Sequence, residues 1–307
     1  KKRGVRVRLL LDTFMVKAQL TPFHVHEIHK TGLEIRYYND LPLISAIDTQ
    51  YRDHRKLFIV DDKHLIIGGR NIADEYFDLD ERYNFLDREV YIYGEIVKRV
   101  KKTFDDFWMA KQSKKPERPP RPSLDSIIYL SSSGSSRSRM LRKYRSDVKS
   151  WRRKVRKAKK FMQSNSLGKK VISQLYKIKS EELRQAKRNE YLCHYPKFVS
   201  DLPLIGPKFD KDRLLRHEIY DRLQKAKKRI TIDSPYFILT HGSDEIMKDI
   251  LAKEVRIELL TNGIYSTDAL PVASVFNYYL DDWLESGLKP YVFGGKRESD
   301  TSYLLDR

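Results

Sequence analysis

His54-Arg55-Lys56-Leu57-Phe58-Ile59-Val60-Asp61 runs without a break through Asp62-Lys63-His64-Leu65-Ile66-Ile67 into Gly68-Gly69-Arg70-Asn71. Leu57 to Val60 and Leu65 to Ile67 predict two short strands, with Asp61-Asp62-Lys63 as the turn between them. Side chains alternate along a strand, so His54 and Lys56 point one way while Leu57 and Ile59 face a core. Gly68-Gly69 lets the backbone reverse sharply and brings Asn71 toward that pair. An imidazole, an ammonium and an amide gathered in this way suit a phosphate group. Lys56 supplies charge, Asn71 a donor, and His54 a nucleophile or proton carrier.

The rest of the chain fits an anionic partner. Its 307 residues suffice for two domains of ordinary size, and the apolar fraction of 40% is adequate for real cores. The formal net charge is +19, and the cations are clustered, which points to nucleic acid, an anionic membrane surface or a phosphorylated substrate. Cys193 is the only cysteine, so an intrachain disulfide is excluded, and it reads as a small buried residue. No apolar run is long enough to span a bilayer, and no signal peptide is visible.

Ahead of the opening stretch, Gly4 to Asp12 reads as a strand and Lys17 to Thr31 as a helix that Pro22 starts or kinks. Leu33 to Tyr38 reads as a second strand, followed by a loop from Asn39 to Tyr51. Met15, His24, His26 and His29 read as ordinary helix positions, because no carboxylate or cysteine joins them at ligand spacing. Beyond Asn71, Phe85 to Tyr93 predicts a strand and Glu95 to Met109 a helix. The prolines of Lys111 to Pro122 imply a linker without regular structure, Leu124 to Leu130 a short element, and Ser131 to Ser138 a flexible joint. Arg137 to Lys160 holds thirteen Lys or Arg and one acid, Asp147, with Trp151, Val155, Ala158 and Phe161 or Met162 at near-helical spacing. It predicts a basic amphipathic helix, either lying on anionic lipid or nucleic-acid phosphate, or packed on the body as a solvated connector. Another helix is expected over Glu181 to Tyr191.

The last third predicts a helix over Leu214 to Lys227, with Leu214, Leu215, Ile219, Leu223 and Ala226 inward. A strand followed by a turn fills Arg229 to Phe237, then comes a helix from Ser243, its N-cap, to Lys253. Val255 to Asn262 is a strand, Leu270 to Ser286 a helix, and Leu288 to Phe293 a final strand.

An internal repeat links the two ends. Gly4 to Asp12 matches Glu254 to Asn262 at a shift of 250, and Thr31 to Tyr38 matches Ser286 to Phe293 at a shift of 255. Under the second shift His54 maps near position 309, so a second His-x-Lys is expected just past Arg307. The unit Arg229 to Lys253 has no counterpart before Lys1, so the stretch reads as a piece of a longer protein.

His54-x-Lys56-x4-Asp61-x6-Gly68-Gly69-x-Asn71 resembles the signature of the phospholipase D superfamily. Asp201-Leu202-Pro203, Ser234-Pro235-Tyr236-Phe237 and Leu260-Thr261-Asn262-x4-Thr267-Asp268 resemble its bacterial cardiolipin synthase-like branch. The resemblance covers most of the chain except about Lys111 to Glu190. It implies an α/β fold of two pseudo-repeated phospholipase D-like sandwich halves, each a mixed sheet flanked by helices. The halves fall at 1–110 and 197–307, with a basic linker and helical insert at 111–196.

The resemblance also implies a phosphodiesterase or phosphatidyltransferase that works through a phosphohistidine, without cofactor or metal. In it, His54 is one of two facing histidines, while Lys56 and Asn71 bind non-bridging oxygens. Asp87 orients the imidazole, and Asp61 belongs to the motif but closes the turn. The substrate is phospholipid, and the site of action is a peripheral one, at the cytoplasmic face or cell envelope of a bacterium. Anionic membrane is met through Arg137–Lys160. The competing expectations are a nuclease of the same superfamily, acting on nucleic acid, and a non-catalytic module for anionic surfaces. Homodimerisation would complete the site if the second motif is truly absent.

Overall fold

The computed structural model describes residues 4–13, 16–17, 20–39, 52–81, 83–117, 119–125, 137–163, 190–203, 213–239 and 241–294. The fold is mixed α/β, with sheets flanked by helices. Two units divide it: Lys1–His54 with Lys102–Lys197 and Pro203–Phe209, and Arg55–Lys101 with Phe198–Leu202 and Asp210–Arg307.

Unit 1 is built on β1 (Arg8–Asp12), α1 (Pro22–His29) and β2 (Glu34–Tyr38). Proline is tolerated at the first helical position, where its missing N–H has no intrahelical partner, so α1 starts at Pro22. The chain leaves the helix through Gly32, whose φ of 87° favours glycine. β2 then returns parallel to β1, with Arg8 opposite Glu34 and Asp12 opposite Tyr38. Val25, Ile35 and Tyr37 are buried there, packed by Leu9, Leu11 and Ile28.

The proline-rich stretch contains one short regular element. This strand, β6 (Ser113–Lys114), pairs antiparallel with β2, because both residues precede Pro116 and keep their backbone donors. The basic stretch forms a single helix, α3 (Arg137–Gln163), after α2 (Ile96–Met109).

In unit 2, β3 (Leu57–Val60), β4 (His64–Gly68) and β5 (Glu89–Tyr93) form an antiparallel sheet. The β3–β4 turn has φ of 51° at Asp61 and 56° at Asp62, and the Lys63 N–H donates to the Val60 carbonyl at 3.2 Å. Positive φ at both central residues is the hairpin-compatible twist. Leu57, Ile59, Leu65 and Ile67 turn inward on Val97 and Val100. Phe58, Val60, Ile66, Tyr91 and Tyr93 stay exposed on the opposite face.

The other sheet of unit 2 is parallel, in the order β7 (Arg229–Asp233), β8 (Arg256–Asn262) and β9 (Lys289–Phe293). Ile257 and Leu259 of β8 are fully buried among Met247, Ile250, Phe276 and Trp283. These come from helices α5 (His241–Ala252), α6 (Leu270–Tyr278) and α7 (Leu280–Glu285).

Several expectations change. The strand expected from Phe85 begins at Glu89, since Phe85 bonds instead to the Glu75 carbonyl. The strand and turn expected over Arg229 to Phe237 divide after Asp233, just before Ser234-Pro235, where proline has no donor for a ladder. Ser243 lies inside the first turn of α5 rather than capping it. The helix expected over Leu270 to Ser286 breaks at Tyr279, whose N–H turns to the Phe276 carbonyl at 3.2 Å. In α4 (Leu214–Gln224), Leu214, Leu215 and Ile219 are exposed, and only the C-terminal end meets the core through Leu223 and Ala226. Cys193 is exposed rather than buried, in a segment without regular structure. Met15, positions 40–51 of the loop, 126–130 of the short element, 131–136 of the joint and 181–189 of the expected helix lie outside the described residues.

Candidate active site

Lys56 stands one residue before β3 and is half-buried. The Gly68-Gly69 pair that ends β4 makes room for what surrounds it. A Cβ on Gly69 would collide with the Asp87 carboxylate, and one on Gly68 would lie 2.9 Å from the Glu89 Cα. Glycine is therefore needed at both positions by close approach rather than by positive φ.

The half-buried Asp87 carboxyl is pushed above the usual carboxylate range by burial. The positive charge of Arg70 opposes that shift, Glu89 adds to it, and Lys56 opposes it. Arg70 is itself tied to Glu89 at 2.9 Å and to the Tyr76 carbonyl. Lys56 and Asp87 thus interact across the residues that Gly68-Gly69 brings together.

Asn71 is exposed, and its Nδ2 donates to the Tyr76 hydroxyl at 2.8 Å. Tyr76 sits in a single 3-10 turn, Asp74–Tyr76, with its ring 4.7 Å from that of Phe85. Burial pushes its phenol upward. The Asn71 bond pulls the other way, and the charges of Asp87 and Asp268 push it further up. Tyr76 therefore keeps its proton, and its hydroxyl oxygen holds the Asn71 amide. Asp268 accepts a hydrogen bond from the Tyr236 hydroxyl, which joins two of the side motifs of the last third.

His54 is exposed and ends the first segment of unit 1. The two residues before it are held by Asp12 at the end of β1. The Asp53 N–H donates to one carboxylate oxygen at 3.1 Å and Arg52 to the other at 3.3 Å. Asp61 is exposed at the hairpin tip, about 16 Å along the strand from Lys56. It takes no part in the Lys56–Asp87–Tyr76–Asn71 set.

Sequence reading missed Tyr76, Arg70 and Glu89. Tyr76 lies in a polar loop with no periodicity, so only the geometry finds it. The Gly68-Gly69 pair was the available signal for the close approach of Asp87. Among the described residues, no group of three or more His, Cys, Asp or Glu is arranged to hold a metal ion.

Residues 1–108 match the family model described as "Cardiolipin synthase, PLD-like domain". The chain is 27% identical to cardiolipin synthase C of Escherichia coli (strain K12), over 100% of this chain and 61% of that protein. It is 27% identical to an uncharacterized protein of Helicobacter pylori (strain J99), over 94% of this chain and 55% of that one. The chain thus spans between half and two thirds of these relatives. Its fold matches that of phosphatidylserine synthase from Haemophilus influenzae Rd KW20, with a TM-score of 0.51 and 14% identity, over 94% of this chain and 62% of that one. Residues 1–108 thus resemble a cardiolipin synthase phospholipase D-like domain, the whole length of the chain is similar to cardiolipin synthase C, and the likeness to phosphatidylserine synthase is one of fold.

Proposed function

We propose that this protein transfers phosphatidyl groups between phospholipids, with His54, Lys56, Asn71 and Asp87 as one half of the catalytic site. The observation that carries this reading is the His54-x-Lys56 pair leading into β3, with Asn71 held by Tyr76 and Gly69 lying against the Asp87 carboxylate. The similarity to cardiolipin synthase C supports phospholipid as the substrate class.

The chemistry runs in two displacements. An imidazole nitrogen of His54 attacks phosphorus, a P–N bond forms, and the P–O bond to the leaving alcohol breaks. The leaving oxygen takes its proton from a second histidine. An incoming alcohol then gives its proton to that second histidine, bonds to phosphorus and breaks the P–N bond, which restores His54. Water in place of the alcohol makes the same sequence a hydrolysis. Lys56 and Asn71 stabilise the charge that develops on the non-bridging oxygens. Asp87 holds the tautomer of His54, and Asp61 closes the hairpin. The second histidine belongs to a second His-x-Lys motif; these 307 residues contain one.

The working surface is an anionic membrane met from the aqueous side. All thirteen cations between Arg137 and Lys160 are exposed on α3. Among the described residues, no helix is long and apolar enough to cross a membrane.

The test supplies the full-length protein with labelled phosphatidylglycerol, phosphatidylcholine and single-stranded DNA. Consumption of phospholipid with formation of a diphospholipid is expected, and His54→Ala lowers that rate at least about 10⁴-fold without changing the circular dichroism. Normal turnover by the variant would overturn the assignment of His54. Consumption of DNA alone would replace the lipid reading with a nuclease.

A further inference from the structure

Unit 1 carries a groove that the catalytic reading does not use. It lies where α1 meets α3 and has a volume of about 760 Å³. Its walls hold three ammonium groups, Lys17, Lys154 and Lys157, against one carboxylate, Asp147. Its aromatic wall is Phe23 and Trp151, packed edge to face with ring centroids 6.3 Å apart. The Trp151 indole N–H donates to the Pro119 carbonyl at 3.1 Å, which fixes the ring. Lys154 reaches over the Phe23 ring at 5.9 Å. Lys157 is close enough to His24 to disfavour its proton, in addition to the effect of burial.

We propose that this groove seats the headgroup of an anionic phospholipid at a bilayer surface, with the phosphate at the three lysines and the glycerol end against Trp151 and Phe23. Ammonium groups above fixed aromatic rings match a phosphate whose other end is apolar, and Trp is favoured at membrane–water interfaces for the same amphipathic reason. The partner is a membrane rather than nucleic acid, because Trp151 packs against Phe23 and is anchored by Pro119. That arrangement gives an apolar wall rather than an open platform for stacking bases. The groove also opens on the helix that exposes thirteen cations, so the headgroup and the surrounding anionic surface are met together.

The experiment compares two charge-matched double variants of the full-length protein. Lys154→Gln with Lys157→Gln removes two cations from the groove, and Arg142→Gln with Lys149→Gln removes two exposed cations elsewhere on α3. Binding is measured by co-sedimentation with vesicles of phosphatidylcholine alone and of phosphatidylcholine mixed with phosphatidylglycerol. The groove pair is expected to lose at least about tenfold more binding to the anionic vesicles than the control pair, since generic attraction is equal for both. The vesicle-induced change in tryptophan emission is expected to vanish in Trp151→Phe. Equal losses in the two pairs overturn the groove. So does a groove-specific loss seen with single-stranded DNA and not with vesicles.

The inference rests on a phospholipid-directed function, so phosphatidyl transfer is measured in parallel on a water-soluble short-chain substrate. Wild-type turnover with equal vesicle binding by the two pairs overturns the groove alone. Absent turnover with a groove-specific loss of binding overturns the proposed function and leaves the groove standing.

Discussion

β1–β2 in unit 1 and β8–β9 in unit 2 are two copies of one pattern, and they pair in the same register. Arg8 opposite Glu34 corresponds to Glu258 opposite Lys289, and Asp12 opposite Tyr38 corresponds to Asn262 opposite Phe293. Gly32 and Gly287, which precede the second strand of each copy, have φ of 87° and 92°. The surroundings differ. β8 has β7 along its other edge, whereas β1 has no second neighbour among the described strands. Ile257, Leu259 and Thr261 are buried, while every residue of β1 is only half-buried. The repeat therefore encodes which strands pair and how, but not how deeply each is covered. Depth depends on the strand that arrives alongside.

That difference can be broken by experiment. Leu259→Ala should cost about 2–5 kcal/mol, because the side chain is fully buried, and its counterpart Leu9→Ala about 1–2 kcal/mol. Urea unfolding of the two variants measures this, and equal losses would mean that β1 is as well covered as β8. Gly32→Ala and Gly287→Ala sharpen the likeness instead. Each forces an L-residue into the left-handed region, so both should lose about 1 kcal/mol, by the same amount within error. A difference of more than about twofold between them would deny the equivalence of the two turns.

The smallest effect is a pH response of α1 in unit 1. Burial, and then Lys157, lowers the proton affinity of His24 on α1. The α6 and α7 sequences of the second copy contain no histidine. A His whose folded pKa is lowered gives full stability above its unfolded value of about 6.5 and loses it as pH falls below that. The protection of α1 amides, measured against their intrinsic exchange rate, should therefore fall between about pH 7 and pH 5 while that of α6 stays level. His24→Gln should abolish the difference.

Much of this architecture was legible because period-2 and helical patterns dominate where elements are covered on one side. Leu57 and Ile59 were read as core-facing, and they pack on Leu65, Val97 and Val100. The errors have a common source in tertiary context. The apolar residues of α4 follow helical spacing, yet the helix meets the core only at its end. Cys193 was read from the usual habits of free cysteine, and its segment lies open. At the candidate site, residue type and spacing propose His54, Lys56 and Asn71, and the family resemblance proposes Asp87. Tyr76 was not legible, because a hydrogen bond from five residues upstream leaves no trace in hydropathy.

The Asp61-Asp62 turn sets more than a reversal of direction. Its two left-handed residues fix Val60 against His64, and every later pairing through Leu57 against Ile67 counts from there. The hairpin is a length standard. Deleting Lys63 shifts the count by one and exchanges the faces of Leu65 and Ile66, putting the buried leucine in water and the exposed isoleucine in the core. Asn71, downstream of the same count, would be delivered out of phase with Lys56. A missing residue at the hairpin tip would thus disturb the candidate site more than most substitutions beside it.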